Sequence, residues 1–342
     1  MNIEMLINKI QAIKGNVIAL IYAFENEEAS GFSHYTFWKS EVISAWLTAV
    51  EELGCIPYML DVRTFMQKAS MGTLPHIDYC VNLNAGNKKI DNLCLVPSIC
   101  SFLDIPCIPC NAITCAVGED KYYANLIAQN GALKVPKKHP ENVVGGIIRD
   151  RSFGSSVGIR LTTSTTKCSN SEISQAFIMG TDMTVPILYN PVYEKLEVLP
   201  PVLYKNNNDE KTWFLNETTK LNHSYEKVLG LLSDETIDAL LELAKKFDIR
   251  TLCRFDTRVE NYNFDVPQKI QLKDINFIEI NPTPTINNTI NFSFSLSLSE
   301  NSVPHKKCFE FYKTLVKNAS LTGYILFCSI NAIKATHFRL QD

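Results

Sequence analysis

Two stretches, "RFDTRV" (254–259) and "NFIEINPTP" (276–284), alternate apolar and polar residues with the two-residue period of a β-strand, and a polar turn, "NYNFDVPQK" (261–269), lies between them. Paired as a hairpin, these strands set Asp256 beside Glu279, with Asn281 one step along on the same face. Two carboxylates and an amide so placed offer the oxygen ligands that a hard cation such as Mg²⁺ takes together with substrate phosphates. The other reading of the same residues is a surface strand pair with solvated acids.

The preceding chain sets the fold class. "NVIALIYAF" (16–24) is a short apolar run rich in β-formers, and "SEVISAWLTAVEELG" (40–54) has helical spacing closed by a glycine. "CIPYMLDV" and "IDYCVNLNAG" read as further buried strands. This order predicts an open α/β domain over residues 1–109, and the absence of GxGxxG leaves a dinucleotide-binding reading without support. A helix is expected from Asp120 to the "NG" at 130–131, and then "VVGGII" and "VGIRL" flank a Ser/Gly-rich turn. Gly154, Ser155 and Ser156 could turn their amides on one anion as a phosphate nest, or form an ordinary hairpin turn; no Walker A loop is present. From residue 174 onward the pattern is mostly strands, with one amphipathic helix at 233–249 capped by Ser233. A small lobe over 110–180 and a large one over 181–342 are therefore expected.

The 342 residues, 46% of them hydrophobic, suffice for more than one core. The net charge of −3 is dispersed, which argues against nucleic acid or an anionic membrane surface as a partner. There is no signal-peptide pattern and no apolar run long enough to span a bilayer, and eleven cysteines point to free thiols in a reducing compartment, so a cytoplasmic protein is expected. In "IPCIPCNAITC", Cys107, Cys110 and Cys115 invite a redox or zinc reading. No second CxxC or histidine pair stands at zinc spacing, so buried structural thiols are the expectation.

Taken in order, from "EVISAWLTAVEELGCIPYMLDV" to "FIEINPTP", these motifs resemble the ATP-grasp superfamily, specifically its D-alanine:D-alanine ligase-like carboxylate–amine ligases. The resemblance implies a three-lobed α/β fold with ATP between the second and third lobes, and a reaction through an acyl phosphate. It makes Lys121, in "EDK", and Arg149, in "IIRD" where the family has a lysine, the phosphate contacts. Ser155 and Ser156 would lie on the flap over the β and γ phosphates. In "QAFIMGTD", Gln175 would face the adenine amino group, Ala176 and Ile178 would offer backbone groups to the base, and Asp182 would hold the ribose. Lys205, with Lys211 as its rival, takes the place of a further phosphate lysine. Asp256, Glu279 and Asn281 would bind Mg²⁺, Arg254 would support charge at the reacting carbonyl, and Glu41 would orient the first amino acid, with His34, Tyr35 and Trp38 near the donor pocket.

The sequence departs from the family at the acceptor end. Thr285 replaces an oxyanion-hole glycine and Ile290 stands near a carboxylate-binding serine, so Arg258 is a candidate to hold an acceptor carboxylate instead. Small amino acids or amines are the implied substrates, and a homodimer fits the family. Competing readings are a cell-wall D-alanine:D-alanine ligase and a catalytically silent nucleotide-binding protein.

Overall fold

The computed structural model describes residues 3–23, 40–84, 92–152, 154, 156, 158–207, 212–221, 225–266, 268–286, 293–300 and 304–339. His34, Tyr35, Trp38, Ser155, Lys211 and Ile290 lie outside the described residues.

The N-terminal sheet is parallel, in the order β2 (Ile56–Asp61), β1 (Val17–Tyr22), β3 (Tyr79–Leu83), β4 (Cys107–Ile108). Helices α1 (Ile3–Gln11), α2 (Ser40–Glu52), α3 (Val62–Ser70) and α4 (Asn92–Phe102) are interleaved with these strands. Parallel strands are covered on both faces, which is why β1 reads as an unbroken apolar run and every residue of β3, Asn82 included, is buried. Gly54 ends the turn after α2 at φ +70°, a left-handed conformation that favours glycine.

Two short helices, α5 (Ala112–Glu119) and α6 (Lys121–Gln129), lead into a small antiparallel sheet of β5 (Gly146–Asp150), β6 (Arg160–Leu161) and β7 (Glu172–Ala176). The large sheet takes β8 (Thr181–Asn190), β9 (Lys195–Val198), β10 (Val202–Asn206) and β11 (Tyr225–Leu229) from the following segment. The segment 217–274 adds α7 (Glu217–Leu221), the two-residue strand β12 (Leu231–Leu232), α8 (Asp234–Lys246), β13 (Leu252–Val259) and β14 (Lys269–Ile270), the last pairing with β12. The strand β15 (Ile275–Asn281) closes the sheet against β13, in the order β11, β10, β8, β13, β15. Ser233 caps α8 by accepting from Thr236 N, as the sequence predicts. Beneath β13 and β15, Phe247, Phe255 and Phe277 pack ring against ring at about 6 Å, giving the pair a rigid apolar floor.

The expectation of mostly strands and one helix after residue 174 needs correction, because three further helices follow β15: α9 (Ser293–Ser299), α10 (Pro304–Leu315) and α11 (Leu321–Arg339). From Tyr324 to Ile330 every side chain of α11 is buried, so no polar stripe marks a helical period. This helix packs back on α2, joining the N-terminal sheet to the C-terminal segment in one core that includes Trp46, Leu53, Tyr324 and Phe327. Glu52 fixes the junction, accepting from the Tyr312 hydroxyl at 2.8 Å and from Ser320 N at 3.0 Å. No helix among the described residues is long and apolar enough to cross a membrane.

His305 is fully buried in this junction. Its Nε2 faces the Leu188 carbonyl at 3.3 Å, which requires a proton there, and the Tyr324 hydroxyl therefore donates to Nδ1 at 2.8 Å. Burial holds the imidazole at about 4, against the opposing pull of Leu188, well below its ordinary 6.5. The unfolded chain then binds more protons between those values, so stability is complete above pH 6.5 and falls as the pH drops towards 4, by about 3 kcal/mol in all. Urea denaturation across that range should show the loss, and a flatter pH dependence in His305→Phe is the expected control; equal slopes for both proteins would remove His305 as the cause.

Candidate active site

The site is assembled on β13 and β15. Their antiparallel register pairs Asp256 with Glu279 and Arg254 with Asn281, and it shifts between Asp256 and Thr257, which is opposite Phe277. Ile278 is thus the extra residue of a β-bulge, and its carbonyl, released from the ladder, accepts from Arg149 Nη2 at 3.3 Å.

Asp256 is held on several sides. Arg254 grips it bidentately from two residues away, Nε to Oδ1 at 3.1 Å and Nη2 to Oδ2 at 2.9 Å. Asn281 Nδ2 donates to Oδ2 at 2.8 Å, and Thr184 Oγ1 on β8 donates to Oδ1 at 2.7 Å, with the Tyr204 hydroxyl 3.3 Å behind it. Because the Asn281 nitrogen faces Asp256, its carbonyl oxygen lies on the other side of the amide.

Glu279 faces cations from four elements. Lys121, at the start of α6, is 3.4 Å away, and Arg149 on β5 is 3.9 Å away. Burial pushes the Glu279 carboxyl up, but Lys121, Arg149, Arg254 and Lys220 together outweigh it and hold the group below the ordinary carboxylate range. Lys121 is placed by its cap: Asp120 accepts from Tyr122 N at 2.8 Å and is clasped by Arg151, while Lys121 N donates to Arg151 O at 2.9 Å. Next to it, burial raises the Glu119 carboxyl to about 7; Lys121 opposes the rise and Glu279 adds to it.

Arg149 and Gln175 are bonded to one another: Arg149 Nη2 donates to Gln175 Oε1 at 2.6 Å. Arg149 is almost wholly buried, and its Nε has no hydrogen-bond partner among the described residues.

At the other end of the cleft, Asp182 pairs with Arg258 at 2.9 Å and accepts from Leu215 N at 2.7 Å. Arg258 also donates to the carbonyls of Ile178, Gly180 and Trp213, and stacks over Phe177 at 5.0 Å. The Nε and Nη2 donors of Arg258 thus serve this local framework, and its Nη1 faces Asp182. Ala176 N donates to Lys137 O, and the Ile178 carbonyl is taken by Arg258.

Two further residues stand apart from their expected surroundings. Lys205 lies on β10 with its ammonium 5.6 Å from the Phe264 ring, whereas Lys220 on α7 is within the electrostatic reach of Asp256, Glu279 and Asp182. Lys220 Nζ donates to Ser156 Oγ at 2.8 Å, and burial, seconded by Arg254, lowers its ammonium despite those carboxylates. No motif marks "ETTKL", so the sequence reading missed Lys220. Ser156 has φ +66°, the left-handed turn geometry of a nest. Glu41 is exposed in the first turn of α2, where a carboxylate favours the helix N-terminus. Thr285 is half-buried, beyond the end of β15.

The donor set fits a metal-bound polyphosphate. Four cationic side chains, Lys121, Arg149, Arg254 and Lys220, surround two carboxylates, an excess of positive charge that phosphate oxygens would balance. The paired carboxylates and the Asn281 oxygen are the ligands a hard cation takes, and the orphaned Arg149 Nε is a buried donor awaiting an acceptor.

No protein-family model and no curated protein matches this sequence. Solved structures share its fold. The D-alanine–D-alanine ligase from Bacillus anthracis complexed with ATP superposes with a TM-score of 0.60 at 13% identity, covering 95% of this chain and all of that one. The VanG D-Ala:D-Ser ligase from Enterococcus faecalis gives a TM-score of 0.51 at 14% identity, over 84% of this chain and 98% of that one. A putative ATP-grasp superfamily protein from Archaeoglobus fulgidus gives 0.51 at 13% identity, over 79% and 82%. The chain thus has the ATP-grasp, D-alanine–D-alanine ligase-like fold that its motifs resemble.

Proposed function

We propose that this chain is a cytoplasmic, ATP-dependent carboxylate–amine ligase that forms a peptide or amide bond from an amino acid, in specialised metabolism. The observation that carries the proposal is the paired Asp256 and Glu279, with Asn281, set inside the ring of Lys121, Arg149, Arg254 and Lys220. The same fold is seen in a D-alanine–D-alanine ligase complexed with ATP and in a D-Ala:D-Ser ligase.

In this reading a substrate carboxylate oxygen attacks the γ phosphorus, ADP leaves, and an acyl phosphate forms. The amine nitrogen then attacks the acyl carbon, loses a proton, and phosphate departs. Asp256, Glu279 and Asn281 would hold Mg²⁺, which supplies charge neutralisation at the phosphoryl oxygens. Lys121 and Arg149 bind the transferring phosphoryl group, with the Arg149 Nε as its buried donor. Arg254, kept in place by Asp256, faces the charge that builds at the acyl centre. Lys220 draws Ser156 down over the phosphates. Gln175 orients Arg149, and Asp182 with Arg258 sets the floor of the nucleoside end.

The test is phosphate release from ATP and Mg²⁺ across a library of amino acids and amines, with products identified by mass spectrometry. Turnover with a specific pair other than two D-alanines is the expected result, since Thr285 stands where the cell-wall enzymes have a glycine. Efficient D-alanyl-D-alanine formation, above every other pair, would return the protein to cell-wall synthesis, and ATP binding without turnover on any pair would make it a silent nucleotide binder.

A further inference from the structure

One group of side chains lies away from this cleft and has no part in it. Cys80, Cys100 and Cys107 bring their sulfurs within 4.8 Å of one another, and among the described residues they are the one group of three or more histidine, cysteine or carboxylate side chains so gathered. They come from three elements: Cys80 from β3, Cys100 from α4, and Cys107 from β4, directly beside Cys80 in the parallel register. Backbone bonds fix all three positions, since Cys80 N donates to Pro106 O and Ile105 N to Cys100 O, each at 2.9 Å.

The arrangement differs from that of the other thiols. Cys110, the second cysteine of the CxxC, sits in a different core and points its sulfur at Leu252 O, and Cys55 points at Ile13 O. Those are single thiols that fill space and find a carbonyl. The three sulfurs face one another, with Cys107 Sγ also 3.9 Å from Ile108 O, amid the buried apolar residues Ala19, Ile21, Leu60, Phe65 and Val96. A disulfide would join two of them and leave the third alone, and every cysteine here is free.

We propose that Cys80, Cys100 and Cys107 form a binding site for one soft, thiophilic metal ion, the monovalent Cu(I), on the N-terminal sheet. A metal–sulfur bond of about 2.3 Å in a trigonal plane sets the sulfurs on the order of 4 Å apart, which three side chains already within 4.8 Å reach by small rotamer changes. Sulfur ligands select soft ions, and oxygen-seeking cations such as Mg²⁺ find no ligand in this pocket. Zinc asks for a fourth ligand to complete a tetrahedron; none of the described carboxylates or histidines joins the group, and the wall is apolar. Cu(I) is satisfied by three sulfurs. Binding releases thiol protons to solvent and involves no change in oxidation state. Cys107, the one of the three that is only half-buried, marks the side from which the ion enters.

The test uses the full chain, kept reduced with a phosphine, and supplies copper as the coloured Cu(I)–bicinchoninate complex, whose bleaching reads transfer to the protein. The wild type should withdraw one equivalent of copper, with three sulfurs around it by X-ray absorption. Cys107→Ser, at the half-exposed position, should bind on the order of 100-fold more weakly. Cys94→Ser and Cys168→Ser, which alter half-buried thiols outside the group, should withdraw copper like the wild type. Copper uptake undiminished in both Cys107→Ser and Cys100→Ser would overturn the proposal, as would preferential retention of zinc, or a disulfide among the three in protein purified without reductant. Should either variant fail to fold, the sulfur count around copper in the wild type decides alone: three supports the site, and fewer refutes it.

Discussion

Glu279→Gln should reduce turnover in the proposed ligase reaction by at least on the order of a thousandfold, the several kcal/mol that a metal-held charge contributes to a phosphoryl-transfer transition state. The substitution is isosteric, so no cavity opens and the β13–β15 pair keeps its register. What changes is charge. Lys121 and Arg149 are nearly wholly buried and both face this carboxylate, at 3.4 and 3.9 Å. With glutamine there, Lys121 and Arg149 lose the carboxylate that faces both of them, while Arg254 keeps Asp256, and the free protein should lose a few kcal/mol of stability. Bound ATP analogue should return part of that loss, because its phosphates replace the missing charge. Rapid-quench assays of turnover and denaturant melts with and without analogue check both halves. Undiminished turnover would place the metal elsewhere, and a melt unaffected by the substitution would mean that water already screens these cations.

The strand pair was legible in the sequence because its two signals coincide: period-two alternation, and polar residues at matched steps on one face, at Asp256, Glu279 and Asn281. The bulge at Ile278 was not, since a single inserted residue leaves no trace in an alternation only seven residues long. The bond from Arg149 to Gln175 was hidden for a different reason. Each looks like a separate lapse from a family pattern, and only the antiparallel pairing of β5 with β7 reveals that they compensate, a longer fork meeting a neutral amide. Lys220 escaped because the helix that carries it has five residues and no apolar periodicity, while Lys205 drew attention because it falls where the resembled family has a further phosphate lysine. The three-thiol group escaped because the CxxC directs attention to neighbours in sequence, whereas the partners of Cys107 are one strand and one helix earlier in the chain.

Arg258→Met should destabilise the large sheet by about 3–5 kcal/mol, the cost of breaking a buried ion pair by removing one partner. The guanidinium is 5% exposed, donates to three carbonyls, Ile178 O at 2.8 Å, Gly180 O at 2.6 Å and Trp213 O at 3.0 Å, and forms an ion pair with Asp182 Oδ1 at 2.9 Å, so that it joins two segments. Methionine fills much of the volume and keeps contact with Phe177, so what is lost is charge and hydrogen bonding, with three carbonyls left without their donor and Asp182 without its counter-ion. The strand crossing makes relaxation difficult. Gly180, at φ +139°, brings its Cα so close to β13 that a Cβ there would lie 2.1 Å from Val259 O, and the segment leading into β8 cannot shift to find water without parting from that strand. Arg258→Lys keeps the charge but cannot span a fork, and should fall between the two. Chemical denaturation followed by tryptophan fluorescence gives the magnitude, with Trp213 beside the change. Hydrogen exchange at 176–182 and 213–215 locates it, and the same segments should lose protection first. Because Asp182 is held by Arg258, the variant should also weaken nucleotide binding while leaving the Asp256–Glu279 pair in register. A melt equal to the wild type would show that the carbonyls are reached by water and that Arg258 is an ornament of the cleft; a melt that falls with exchange unchanged in those two segments would place the lost stability somewhere other than this crossing.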